Sequence, residues 1–96
     1  MSELDGLWAV RRTGGALPPL VGVRKRIAGK AGWTDVGPVR LPFRVEGLQL
    51  RYTGLLRGLV DVLEPDAEGF AGHATLAGRE YGRFALRRVP DQRRTP

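Results

Sequence analysis

The chain contains no cysteine and one histidine in 96 residues. That removes any disulfide framework and any thiolate metal site, and with a lone imidazole no transition-metal centre is expected. No apolar run approaches 18 residues, so no helical membrane span is expected either. Lysine is nearly missing, with two residues against 14 arginines, and the aromatics are only three Phe, two Trp and two Tyr. Gly-x-Ser-x-Gly, phosphate-loop and paired-carboxylate motifs are absent. The residues therefore favour a non-catalytic protein, and no cofactor is expected. Met1-Ser2-Glu3-Leu4-Asp5 is acidic with no apolar stretch behind it, unlike a secretory leader, so a cytoplasmic protein is expected.

What the chain does have is a period of two. In Val39-Arg40-Leu41-Pro42-Phe43-Arg44-Val45-Glu46 every odd position is apolar and every even one is not. Alternation of this kind belongs to a β-strand with one face in a core and one in water. Similar stretches recur along the chain, each ended by Gly or Pro. They are expected at 7–13, 21–27, 33–36, 39–45, 48–53, 59–64, 70–77 and 80–89. Short connections between sequential strands favour an antiparallel meander. Eight such strands predict an all-β, up-and-down eight-stranded barrel over residues 1–89, its interior filled by side chains or holding one small ligand. Expected inward residues include Val10, Val21, Val23, Ile27, Val39, Leu41, Phe43, Val45, Leu50, Tyr52, Phe84 and Leu86. Pro42 lies on the outward face of its strand and lacks an N–H, which suits a frayed, bulged or edge position. Gly14-Gly15-Ala16-Leu17-Pro18-Pro19-Leu20 forms the longest loop, and Pro90–Pro96 is a polar tail expected to be disordered.

The net charge of +6 would draw anions through its long-range field. The same excess of Arg over Lys, with abundant Gly, Ala and Val, fits coding by a GC-rich genome. The arginines are also dispersed along the strands.

Leu4-Asp5-Gly6-Leu7-Trp8 opens the first strand with Gly-x-Trp, and Arg87-Arg88 ends the last. Gly6 lets the chain turn tightly into the barrel, and the Trp8 indole plugs one end. First and last strands are neighbours in a closed meander, so an arginine can lie across that indole, a cation–π contact worth roughly 0.5–2 kcal/mol. Arg88 alternates with Phe84 and Leu86 and is the better placed of the two. This arrangement resembles the lipocalin and wider calycin superfamily, across residues 2–89. The resemblance implies an eight-stranded barrel closed at the bottom by the tryptophan and the basic residue, with a flap after strand one, here Gly14–Leu20, over the mouth. Lipocalins are substantially longer, which implies shorter strands here and a small cavity or none. No ligand residue carries over from that superfamily.

Five residues are candidates for ligand contact at the pocket or its rim: Trp33, Tyr52, Lys25, Arg12 and Phe43. Trp33 follows a turn and is either a rim aromatic or a stacking surface. Tyr52 has an apolar body and a polar tip, suited to orienting a ligand or to an ordinary core position. Lys25 shares the apolar face of its strand, which places it near an open end, where it or Arg12 could neutralise an acid head group. His73 is expected to point outward, with Asp61 and Glu80 within reach across the sheet.

Three functions fit these residues. The first is a lipocalin-like barrel binding a small apolar or amphipathic molecule, which an acid group would make anionic. The second is a basic module binding nucleic acid or another polyanion through Arg24, Arg26, Arg40, Arg44 and Arg51. The third is a self-associating protein, a homodimer for instance, using a sheet edge or the loop leucines Leu17, Leu20, Leu55 and Leu56.

Overall fold

Alternation produces eight antiparallel strands, and their number and shortness produce closure. The computed structural model describes residues 3–89. The strands are β1 (Gly6–Gly15), β2 (Arg24–Ala28), β3 (Ala31–Val36), β4 (Val39–Glu46), β5 (Gln49–Tyr52), β6 (Leu59–Asp66), β7 (Gly69–Leu76) and β8 (Arg79–Arg88). Each pairs with its sequence neighbour, and β1 pairs with β8, so the sheet is an up-and-down barrel closed on itself. The expected tail at 90–96 lies outside the described residues.

The barrel is plugged where β1 begins and β8 ends. Trp8 stands directly opposite Arg88 in the ladder, and the Arg88 guanidinium lies 4.3 Å from the indole centroid. Trp8 Nε1 donates to the Leu4 carbonyl at 2.8 Å, and its ring meets Phe70 edge-on at 5.4 Å. Arg88 also donates to the carbonyls of Asp5 (2.8 Å) and Glu3 (3.2 Å). Gly6 makes room for this, since a Cβ there would stand 2.5 Å from Arg88 Nη1. One arginine therefore ties the first described residues to the last strand. Leu4, Ile27, Leu50 and Leu86 pack around the plug as a buried core.

A barrel this narrow cannot take a large side chain at every inward position. Gly72 of β7 faces Phe84 of β8 in register, and the phenyl ring occupies the space a Cβ on Gly72 would need. Gly32 of β3 makes the same allowance for Phe43 of β4. Alternating small and large residues in this way keeps packing dense without strain.

Four expectations change. Val21 is 94% exposed rather than inward, because Leu20–Val23 forms a turn closed by the Val23 amide on the Leu20 carbonyl (3.1 Å). Strand β2 accordingly starts at Arg24, and Val21 sits at the tip of the turn. Val39 is 52% exposed, and it pairs with Val36, itself 42% exposed, at the rim where β3 ends and β4 begins. Pro42 does not open the ladder. It pairs in register with Trp33, and its carbonyl accepts from the Thr53 amide (3.3 Å) just beyond the end of β5. The missing N–H faces the same side, where β5 is already running out. Finally, Leu17 and Leu20 are not exposed loop residues but are half-buried and packed against the core.

Gly72→Ala should cost about 1–3 kcal/mol by forcing the Phe84 ring from its place. Urea denaturation measures this directly, and an unchanged midpoint would mean the ring is not seated there.

Candidate functional site

Two inward positions that alternation reserves for apolar residues carry opposite charges. On β2, Lys25 lies between Val23 and Ile27; on β6, Asp61 lies between Leu59 and Leu63. Lys25 is 3% exposed and Asp61 6%, and Lys25 Nζ sits 3.0 Å from Asp61 Oδ2 across the barrel interior. Burial at this depth costs several kcal/mol per ion unless each is paired and hydrogen-bonded. The remaining partners come from two further strands. Thr34, opposite Lys25 in the β2–β3 register, accepts from Nζ at 2.8 Å. Tyr52 of β5 accepts from Nζ at 2.6 Å and donates to Asp61 Oδ2 at 3.2 Å. With the single Tyr52 proton on Asp61, Thr34 is the donor in its 2.7 Å contact with the Tyr52 oxygen.

The ammonium also lies 5.3–5.5 Å from the ring centroids of Phe43, Tyr52 and Phe84. Burial works to lower the Lys25 pKa and is the largest single influence on it. The Asp61 charge, together with the hydrogen bonds to Tyr52 and Asp61, outweighs it and holds the group above its ordinary value of 10.5. Burial likewise raises the Tyr52 phenol, against the opposing pull of Lys25. Lysine stays charged and tyrosine neutral throughout the physiological range.

This cluster borders a cavity of about 240 Å³ at the open end of the barrel. Val10, Val23, Leu41, Leu59 and Phe84 supply apolar wall, and the loop Leu17–Leu20 lies across the top. Leu17 reaches down over Gly82, where any Cβ would strike it. The loop is tied from both sides. The Ala16 amide donates to the Tyr81 carbonyl (2.7 Å), and the Arg12 guanidinium donates to the carbonyls of Leu17 (2.8 Å) and Gly15 (2.5 Å).

Of the five residues expected at a pocket, Lys25 and Tyr52 line the cavity. Phe43 is buried beneath them, edge-on to Tyr52 at 5.5 Å. Arg12 is exposed and occupied in holding the loop. Trp33 is on the outside of the barrel, one residue out of phase with Thr34. Its ring is covered by the Arg40 guanidinium at 4.4 Å, and its Nε1 is buried without a partner among the described residues. Neither cation expected to meet an acid head group is free for it: Lys25 faces Asp61, and Arg12 the loop. Lys25 is also deep rather than at the rim.

Asp61, Thr34 and Tyr81 are site residues not anticipated as such. Asp61 was legible, because it shares a face with Leu59 and Leu63 as Lys25 does with Val23 and Ile27. Tyr81 was not. Strict alternation sends it outward with Arg83, but the β7–β8 register slips between Ala74 and Thr75, leaving Tyr81 as an extra residue that borders the cavity mouth.

His73 does point outward, between Glu80 (Nδ1 to Oε1, 2.7 Å) and Glu64 (Nε2 to Oε1, 3.0 Å). Asp61 is inside and takes no part. Hydrogen bonds to Glu64 and then Glu80 raise the His73 pKa above 6.5, and those from Arg83 and His73 lower that of Glu80. No nucleophile accompanies the imidazole in these contacts.

The chain matches no protein-family model, no curated protein and no solved structure.

Asp61→Ala should cost about 3–5 kcal/mol, because it strands the Lys25 ammonium in the interior, whereas Lys25→Met with Asp61→Leu should recover most of the loss. Equilibrium unfolding of the single and the double variant beside wild type tests this; a benign single variant would contradict the pairing. The His73 contribution to stability is full below its unfolded value near 6.5 and is lost as pH rises through the higher folded pKa. Stability of wild type relative to His73→Gln, followed over that interval, should fall with rising pH, and a flat difference would contradict the assignment.

Proposed function

We propose that this protein binds one small, mostly apolar molecule in the cavity at the open end of the barrel, as a short member of the calycin type. The observation that carries the reading is the cavity itself. About 240 Å³ of space persists at the open end of a barrel that needs glycines to fit its aromatic rings. Apolar walls with a few convergent polar groups are the usual make-up of a ligand site, though drug-sized ligands need about 300–1,000 Å³. The occupant is correspondingly small. The Trp8–Arg88 closure, the strand order and the loop over the mouth support the calycin likeness.

A second reading concerns the outer surface of β2–β5. Arg24, Arg26 and Arg44 make no ion pair among the described residues, while Arg40 and Arg51 are paired with Asp35 and Glu46. Arg44 stands directly opposite Arg51 in the ladder. The acids Glu64, Asp66, Glu68 and Glu80 lie on the β6–β8 side with His73, Arg83 and Arg87. A basic face of this kind suits a polyanion such as nucleic acid. Self-association through a strand edge has less support, since the closed ladder offers no such edge, and of the four loop leucines only Leu55 is fully exposed.

Native mass spectrometry of protein purified without refolding, followed by organic extraction, should reveal a bound small molecule at one per chain. Ala74→Leu, which fills the cavity from β7, should abolish that adduct while the barrel still folds. Retention of the adduct by this variant would place the ligand elsewhere. On a single-stranded DNA column, Arg24→Ala with Arg26→Ala and Arg44→Ala should reduce the salt needed for elution. If wild type passes through at low salt, the basic face is not a nucleic-acid site.

A further inference from the structure

The proton inventory of the buried cluster narrows the chemistry of the ligand, an inference that rests on the pocket reading above. Lys25, Tyr52 and Thr34 together carry five polar hydrogens: three on the ammonium and one on each hydroxyl. The cluster makes five contacts: Lys25 to Thr34, to Tyr52 and to Asp61, Tyr52 to Asp61, and Thr34 to Tyr52. Every donor is spent. What remains is acceptor capacity, concentrated on Asp61. All contacts to this carboxylate end on Oδ2, and among the described residues no hydrogen bond reaches Oδ1. Asp61 borders the cavity, and Oδ1 is not among the sealed, unpartnered atoms, of which Trp33 Nε1 alone qualifies among the described residues. It therefore keeps contact with the cavity.

We infer that the cavity selects a small apolar molecule bearing a neutral hydrogen-bond donor, an alcohol being the simplest class, and that this donor is received by Asp61 Oδ1. Charge excludes the alternatives. Lys25 and Asp61 already neutralise one another, so a carboxylate ligand would bring a second anion beside Asp61 with no cluster donor left to meet it. The Tyr81 hydroxyl at the mouth is the one further side-chain donor bordering the cavity among the described residues. Burial and then the charge of Asp61 both oppose its ionisation, and the same charge opposes an anion placed beside it. An ether or hydrocarbon of equal size fills the apolar space but leaves Oδ1 without a partner, and a buried acceptor left unmet is costly.

The test titrates the intact wild-type protein with three probes of similar length, 1-octanol, heptyl methyl ether and octanoate. Amide shifts in 15N-labelled protein report affinity, and the Asp61 carboxyl carbon in 13C-labelled protein reports the head group. Octanol is expected to bind about tenfold more tightly than the ether, with octanoate weakest, and only octanol should move the Asp61 carboxyl resonance. Equal affinity of octanol and ether, or preference for octanoate, overturns the donor rule while leaving the pocket standing. Preference for octanol with a stationary Asp61 resonance overturns the role of Oδ1. Failure of all three to bind removes the pocket itself, and the donor rule with it.

Discussion

A charged lysine and a charged aspartate inside a ten-kilodalton barrel hold each other in place, and four strands must be in register for them to do so. Lys25 comes from β2, Thr34 from β3, Tyr52 from β5 and Asp61 from β6. A slip of one residue in any of these strands would turn its polar group outward and leave the others buried and unmet. Apolar residues of similar volume would give a core at least as stable. The ionic cluster instead specifies one alignment of the ring, and it keeps one wall of the cavity polar. The register constraint and the chemistry of the site are thus the same four side chains.

Around this cluster the barrel divides by depth. Below it, Trp8, Phe70, Leu50 and Leu86 are packed solidly, with Arg88 laid across the indole. Above it, Val36 and Val39 are exposed at the rim, and the Leu17–Leu20 loop lies across the cavity. Glycines make room at the cavity. Gly72 admits the Phe84 ring in its wall, and Gly82 admits the Leu17 side chain at its top. The loop is held by Arg12 and by the Tyr81 carbonyl at the surface, and by Leu17 and Leu20 packed against the core beneath.

Much of this was legible in the residue order. Period two located all eight strands to within a few residues, and the Gly6–Trp8 and Arg88 positions predicted the plug. Alternation also placed Lys25 indoors. The same rule applied to Leu59-Val60-Asp61-Val62-Leu63 puts Asp61 indoors, and two inward charges of opposite sign are then natural partners. Local pattern fails where the backbone departs from regular pairing. The turn at Leu20–Val23 exposed Val21, and the bulge at Tyr81 reversed the direction that side chain takes. For Trp33 a tryptophan next to a turn suggests a rim, while its parity with Asp35 rather than Thr34 assigns it to the outer surface, where Arg40 shelters it.

Pairing of β1 with β8 has a topological consequence. Val89 donates its amide to the Leu7 carbonyl, and Arg88 reaches the carbonyls of Glu3 and Asp5, so the two ends of the described chain lie side by side at the plugged end. The connectivity is in effect a circle cut at one seam, and the tight hairpin turns offer other seams at which the same ring of strands could be cut and rejoined. Residues 3 and 89, where the described chain begins and ends, both lie at the plugged end, opposite the mouth.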